Sequence, residues 1–200
     1  MPDTGAPWNI PYVASTDLVS DWPADSLALA NAIDAGLDAA GGLVAVKHAL
    51  FTGTQTNSTA SGANFAVTDL SITHTLADSS NKLIISAYFG SAGNTNGTGR
   101  VGLAVADDGT LIAIGDAASN RTRIGAGGLV GPDTFSAVVT MPSMTFVYEP
   151  GDTSAHTLTV RAINMDPGTE TIYINRAEDD SDNAGRQRAS SGLVIQEVKV

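Results

Sequence analysis

The chain of 200 residues is long enough for one domain with a single hydrophobic core and a small additional element. Charged residues make up only 16% of the sequence and the formal net charge is −11, which argues against binding to nucleic-acid phosphates or anionic membrane surfaces. The absence of cysteine excludes disulfides, thiolate metal sites and a cysteine nucleophile. No stretch approaches the roughly 18 apolar residues of a membrane span, and the N-terminus lacks the basic and apolar parts of a signal peptide, so we expect assembly in a cytoplasm.

The first twenty residues predict an extended arm. Pro2, Pro7 and Pro11 disfavour a helix and bias the residues before them to extended geometry. An extended segment cannot bury its own apolar side chains, so we expect this arm to lie in a groove of another protein, with packing on its own domain as the alternative. The candidate anchor residues are Trp8, Ile10, Tyr12, Leu18 and, at the start of the next element, Trp22.

Residues 22–40 predict one short helix. Pro23 suits the first turn, and Gly41-Gly42 supplies the stop. A helix this short is marginal by itself, so it needs a partner. Identical copies of the chain are the simplest partner, and contact with the β region is the alternative. A coiled-coil seam is indicated by residues spaced three, four and three apart, namely Ala30, Ile33, Leu37 and Ala40.

Residues 43–200 predict β-strands throughout. Several segments alternate between apolar and polar residues, and Asp107-Asp108-Gly109 predicts a tight hairpin between two of them. We therefore predict a mainly β fold, a jelly-roll-like antiparallel β-sandwich over 43–200, preceded by the arm and helix of 1–42. The predicted strands are 43–51, 68–76, 82–89, 100–106, 110–115, 135–141, 144–148, 156–164, 170–175 and 192–199, and the polar stretches 53–63 and 90–99 are read as exposed loops.

The sequence carries no recognisable catalytic or cofactor motif. His48, His74 and His156 do not stand at the spacings of metal-ligand motifs, and no nucleophile elbow, P-loop or dinucleotide fingerprint is present. We therefore expect no cofactor and no metal. An enzymatic reading would need paired carboxylates such as Asp179 and Asp182, but these stand beside arginines rather than among aromatic residues.

An acid-rich stretch, "YINRAEDDSDNAGRQRAS" (173–190), is the most unusual feature of the β region. Its carboxylates could hold calcium, but their spacing does not fit the twelve-residue calcium loop. The preferred interpretation is an ionic clasp in which arginines lock the acids, between loops of one chain or between chains. The clasp candidates are Asp179, Asp180 and Asp182 with Arg186 and Arg188, and the second basic pair Arg121 and Arg123.

Two of these segments also carry a family resemblance. The segments "IAIGDAASNRTR" (112–123) and "ETIYINRAEDDSDNAGRQRASSGLVIQEV" (170–198) resemble a β-rich domain at the C-terminal end of tail fibres and minor tail proteins of tailed bacteriophages. Residues 65–90 look like the opening strands of that domain, and residues 8–41 resemble N-terminal attachment segments of such proteins. The resemblance implies a virion structural protein that forms trimers and often contacts the host.

The sequence therefore predicts a homotrimeric short tail fibre or minor tail protein. The arm would anchor it to another virion protein, and the β head would face a host receptor or glycan, with 53–63 and 90–99 as candidate contact loops. The alternative is a capsid decoration, or cement, protein that stabilises the phage shell. Nucleic-acid binding, membrane insertion and enzymatic activity are not expected.

Overall fold

The chain divides into two units, one of residues 1–43 with 199–200 and one of residues 44–198, and each is described by itself. In the first, helix α1 spans Trp22–Ala39, as the sequence predicts. Among the described residues, this helix lacks the length of apolar sequence that a bilayer crossing requires. The computed structural model describes residues 22–39, 42–97, 99–128, 139–182, 184 and 186–200.

The second unit consists of antiparallel β-sheets. Four strands lie in the order β1-β12-β4-β9, five belong to a sheet of order β3-β10-β6-β7 with β8 also paired to β6, and three lie in the order β2-β11-β5. The strands are β1 (Leu43–Phe51), β2 (Gln55–Thr59), β3 (Asn64–Thr75), β4 (Lys82–Tyr88), β5 (Ala92–Asn94), β6 (Val101–Asp107), β7 (Thr110–Ile112), β8 (Ala126–Gly128), β9 (Ser143–Tyr148), β10 (Ala155–Asn164), β11 (Glu170–Ile174) and β12 (Ser191–Val198).

One hydrophobic core lies between the four-stranded and five-stranded sheets. Alternating residues of β3, β4, β6, β10 and β12 point into it, and each of these strands contributes two or three buried apolar side chains. Strand β11 of the three-stranded sheet adds Ile172 and Ile174. Full burial of one such side chain stabilises the fold by about 1.5–3 kcal/mol. The largest fully buried apolar side chains are Leu70, Leu83, Ile85, Phe89, Leu103, Leu158, Ile163, Ile172, Ile174, Leu193 and Ile195.

A bulge in β3 keeps both of its ends facing the core. Val67 and Leu70 are three residues apart, yet both are buried. Asp69 has a φ of 60°, and the register with β10 shifts between Thr159 and Arg161, where residues 67–70 of β3 lie opposite one residue of β10, so three extra residues are accommodated there. The bulge moves the alternation by one residue, and the apolar residues after it return to the core face.

The predicted hairpin joins β6 to β7. Asp107 pairs with Thr110, and Asp108 and Gly109 between them both have positive φ, as a two-residue type I′ turn requires. All seven residues of β6 are buried. A Cβ on Gly102 would lie 2.5 Å from the Ile124 side chain, so only glycine fits where this side chain crosses the strand. The hairpin thus extends from the most completely buried strand.

The structure confirms a mainly β, antiparallel sandwich, while the jelly-roll topology stays a prediction. The predicted strand 135–141 falls largely outside the described residues, although Thr140 forms an isolated bridge to Ala92. The prediction of loops at 53–63 and 90–99 was wrong for the residues that form strands β2 and β5, while residues 60–63 and 95–97 do lie outside strands. Residues 91–94 are buried, so they cannot be part of an exposed contact loop.

Candidate functional site

The proposed anchor lies almost entirely outside the described part of the chain. Trp8, Ile10, Tyr12 and Leu18 fall outside it, and Trp22 is described only as the first residue of α1. The anchoring role of these residues therefore stays a prediction.

Helix α1 presents apolar side chains to solvent. Ile33, in the predicted seam, is 46% exposed, Leu27 one turn earlier is 62% exposed, and Ala30 is also exposed. Ala40 lies outside the described residues, as does the side chain of Leu37. The described seam residues, Ala30 and Ile33, are thus apolar and accessible, as expected of a surface that a partner helix covers.

The four-stranded sheet has an apolar outer face, opposite the core. Because side chains alternate along a strand, Val44, Val46 and Leu50 of β1 point away from the buried Phe51. They are 43%, 53% and 54% exposed. A sheet with one face on the core is expected to be polar on the other. The apolar residues of this face are Val44, Val46, Leu50, Ile84, Val147 and Val194, of which Ile84 and Val194 are half-buried and Val147 is 58% exposed. The same face also carries the polar side chains of His48, Lys82, Ser86, Thr145 and Gln196.

The acid-rich stretch forms a clasp closed by arginines of the same loop. Arg186 donates from Nε to Asp179 Oδ2 at 2.9 Å and from Nη2 to the same oxygen. Hydrogen bonds from Arg186 and Ser181 hold the pKa of Asp179 below its ordinary value. Asp180 Oδ2 accepts from Arg188 at 2.7 Å and from Arg176 at 2.8 Å.

Arg176 was missed as a clasp residue by the sequence analysis. Its guanidinium also lies over the Tyr173 ring, 4.7 Å from the centroid, which fixes its direction. A shallow pocket of about 300 Å³ lies beside the clasp, lined by charged and hydroxyl side chains that include the exposed Asp182. The described residues that line it include no aromatic side chain of the kind on which a sugar ring stacks.

The second basic pair does not join this clasp within the described chain. Arg123 donates from Nε to the Gly115 carbonyl at 2.6 Å, and Arg121 is exposed. The sequence-based grouping of Arg121 and Arg123 with the acids is therefore not seen as a contact within one chain. Their role between chains stays a prediction.

Asn175 lies at the base of the same loop and holds its two ends together. It has a φ of 63°, is fully buried, and donates from Nδ2 to the carbonyls of Phe51 and Gly53. Its Oδ1 accepts from the Ser191 hydroxyl at 2.6 Å. The carbonyl of Asn175 accepts a hydrogen bond from the Ala189 amide, so Asn175 connects the start of the loop to its end.

A buried polar network surrounds His74. Its Nε2 lies 2.7 Å from Glu197 Oε2, and Oε1 accepts from the Ala77 amide at 2.8 Å and from Asn81 at 2.6 Å. Burial by itself raises the pKa of Glu197, but the hydrogen bonds from Asn81 and Ala77 and the neighbouring His74 outweigh it and lower the pKa. Both oxygens of this carboxylate are used, which indicates a structural role.

A second network, which the sequence analysis did not predict, lies at the β6–β7 hairpin. His156 Nδ1 lies 2.8 Å from Asp107 Oδ2, which also accepts from the Tyr148 hydroxyl at 2.6 Å. His156 Nε2 lies 3.2 Å from Asp152 Oδ1. Burial alone would lower the pKa of His156, but the contacts with Asp107 and Asp152 raise it. These residues are distant in sequence, so no local motif announces them.

Comparison with known proteins assigns no relative to this chain. No protein-family model matches it, and no curated protein is significantly similar to it in sequence. The resemblance to phage tail fibres and minor tail proteins accordingly stays a prediction.

Proposed function

We propose that this protein is a structural component of a bacteriophage virion, a homotrimeric short tail fibre or minor tail protein whose β unit serves as the head. The main support for self-association is the set of exposed apolar side chains on the outer face of the four-stranded sheet. Exposed apolar side chains gathered on one face of a protein favour contact with other proteins, and Val44, Val46 and Leu50 supply three of them on a single strand.

The exposed apolar side chains of helix α1 support self-association independently. Removal of apolar surface from water is worth about 25 cal/mol per Å², and Leu27 and Ile33 offer such surface on a helix that is short for independent stability. The net charge of −11 opposes the approach of identical copies. Apolar contact is therefore the interaction able to bring the copies together.

The virion setting rests on the resemblance of 112–123 and 170–198 to the C-terminal domain of phage fibres and minor tail proteins. The arm of residues 1–20, with its tryptophan and proline residues, is the part proposed to bind another virion protein. The ionic clasp, in which Arg176, Arg186 and Arg188 bind Asp179 and Asp180, offers a charged surface for contact with a host.

The association is tested by the mass of purified protein in solution, measured by light scattering. We expect a trimer for the wild type and dissociation for Val46→Asp or Ile33→Asp, since each places a charge on an apolar surface. Met141→Asp is the matched control, because Met141 is 72% exposed and lies outside both surfaces. A monomeric wild type, or a trimer unaffected by both substitutions, would contradict the proposal.

The place of the protein is tested by electron microscopy of intact particles with labelled protein. A signal at the tail, with tens of copies per particle, is expected. Hundreds of copies on the shell would instead identify a capsid decoration protein. Deletion of residues 1–20 should leave a folded protein that no longer joins the particle, and normal incorporation of the truncated chain would remove the arm as anchor.

A further inference from the structure

The β6–β7 hairpin brings three metal-ligating side chains to one point. Asp107 and Asp108 lie at the turn, and His156 lies near the start of the adjacent strand β10. One donor atom from each of the three lies within 4.8 Å of the others. Donor atoms bound to one ion at about 2.1 Å are roughly 3–4 Å apart, so this spacing suits a single ion after small side-chain adjustment.

The charges around this point are unbalanced. Asp107, Asp108 and Asp152 all lie near the histidine. Within the described part of the chain, no lysine or arginine forms an ion pair with any of the three. His156 is the basic side chain among the described residues that pairs with Asp107 and Asp152. Even a protonated His156 leaves the three carboxylates with an excess of two negative charges, which favours a bound cation.

An independent observation concerns the oxygen that Asp107 does not use. Asp107 is only 9% exposed, and its Oδ1 is buried with no hydrogen-bond partner among the described residues. A buried acceptor without a partner is costly and uncommon in folded proteins. Asp107 Oδ2, in contrast, contacts both Tyr148 and His156. Coordination of a cation would satisfy Oδ1 and leave the Tyr148 contact in place.

We propose that Asp107, Asp108 and His156 bind one divalent transition-metal ion, for which Zn²⁺ is the probe. Nδ1 of His156 lies 2.8 Å from Asp107 Oδ2, and an ion bound to Nδ1 would replace this contact and require the nitrogen to be deprotonated. The other nitrogen of His156 contacts Asp152 Oδ1 at 3.2 Å, which matches the carboxylate–histidine–metal arrangement that orients a ligating imidazole.

The imidazole decides the class of ion. Ca²⁺ and Mg²⁺ prefer sites made of oxygen ligands, whereas Zn²⁺ accepts imidazole nitrogen together with carboxylate oxygen. The ion ties the hairpin to the start of β10 and to the loop that carries Asp152. Because the site forms only in the folded chain, binding raises the stability of the β unit. This site is independent of the proposed association surfaces.

The test uses full-length, tag-free protein stripped with EDTA and titrated with ZnCl₂ by calorimetry at neutral pH. We expect one Zn²⁺ per chain and binding weaker by at least about tenfold in Asp108→Asn and in His156→Gln. Asparagine keeps the oxygen that accepts from Thr157 and tolerates the positive φ at Asp108, so this variant should fold.

Two matched control variants carry the same types of substitution at positions outside the proposed site. Asp116→Asn removes an exposed carboxylate and His48→Gln an exposed imidazole, both outside the cluster, so Zn²⁺ binding should be unchanged. The urea midpoint of the wild type should rise with Zn²⁺, and that of Asp108→Asn should not. No stoichiometric binding, or binding that survives both Asp108→Asn and His156→Gln, would overturn the site. Equal binding of Ca²⁺, unaffected by His156→Gln, would overturn the ion class.

Discussion

His74 and His156 each lie beside a buried carboxylate, but the two carboxylates are satisfied to different degrees. Both oxygens of Glu197 accept hydrogen bonds, from a ring nitrogen, a backbone amide and an asparagine. Asp107 concentrates its contacts on Oδ2 and leaves Oδ1 without a partner in the described structure. Glu197 uses both oxygens, in three contacts, which favours a structural role, whereas the unpartnered Oδ1 of Asp107 is the acceptor that the proposed cation would use.

The largest loss of stability is expected from removal of the Glu197 carboxylate. Glu197→Ala leaves His74, Asn81 and the Ala77 amide without their common partner, so the free energy of unfolding should fall by about 3–5 kcal/mol. Urea denaturation at neutral pH measures this. Glu149→Gln is the matched control, because Glu149 is 64% exposed in its pair with Lys82 and should change stability by less than about 1 kcal/mol. A loss of similar size in both variants would remove the distinction between the two kinds of acid.

The same carboxylate should control the acid side of the stability profile. The pKa of Glu197 is lowered in the folded state from an ordinary value of 4.5, so the folded chain holds fewer protons there than the unfolded chain. Its contribution is therefore fully present above the unfolded pKa and is lost as pH falls through the folded pKa. Comparing unfolding midpoints of the wild type and Glu197→Gln from pH 6 downwards should show a shallower decline in the variant. Parallel curves would contradict this assignment.

A smaller effect is expected at the second pair. Tyr148→Phe removes one of two contacts to Asp107 Oδ2 and leaves His156 in place, so stability should fall by about 1–2 kcal/mol. Urea denaturation of metal-free protein measures the change. A loss as large as that of Glu197→Ala would mean that the Asp107 network is as tightly integrated as the Glu197 network.

Local chemistry made most of the strands predictable. The apolar alternation of β10 and the Asp108-Gly109 turn each express a rule that acts within a few residues. Strand β2, Gln55–Thr59, escaped because its residues are polar and its pairing with β11 is decided by a segment more than a hundred residues later. β5 escaped for the same reason, since its buried Ala-Gly-Asn carries no hydrophobic pattern.

The sites were predictable only where partners are close in the chain. Asp179 and Arg186 are seven residues apart, and Arg186 Nε donates to Asp179 Oδ2 at 2.9 Å. Arg176 pairs with Asp180 four residues later, and its position next to the acids was a signal that could have been used. Asp107 and His156 are separated by 49 residues, and only the pairing of β6 with β10 brings them together. No spacing rule reaches that far.

The hydrogen bonds of Asn175 at the base of the charged loop affect how the sequence of that loop can vary. Those with Phe51, Gly53 and Ser191 secure the sandwich on the inner side, and the segment beyond Asn175 makes its ion pairs within itself. Substitutions or insertions between residues 178 and 187 are therefore insulated from the core. Such a loop can diversify, or be exchanged for another, while the scaffold that presents it is preserved.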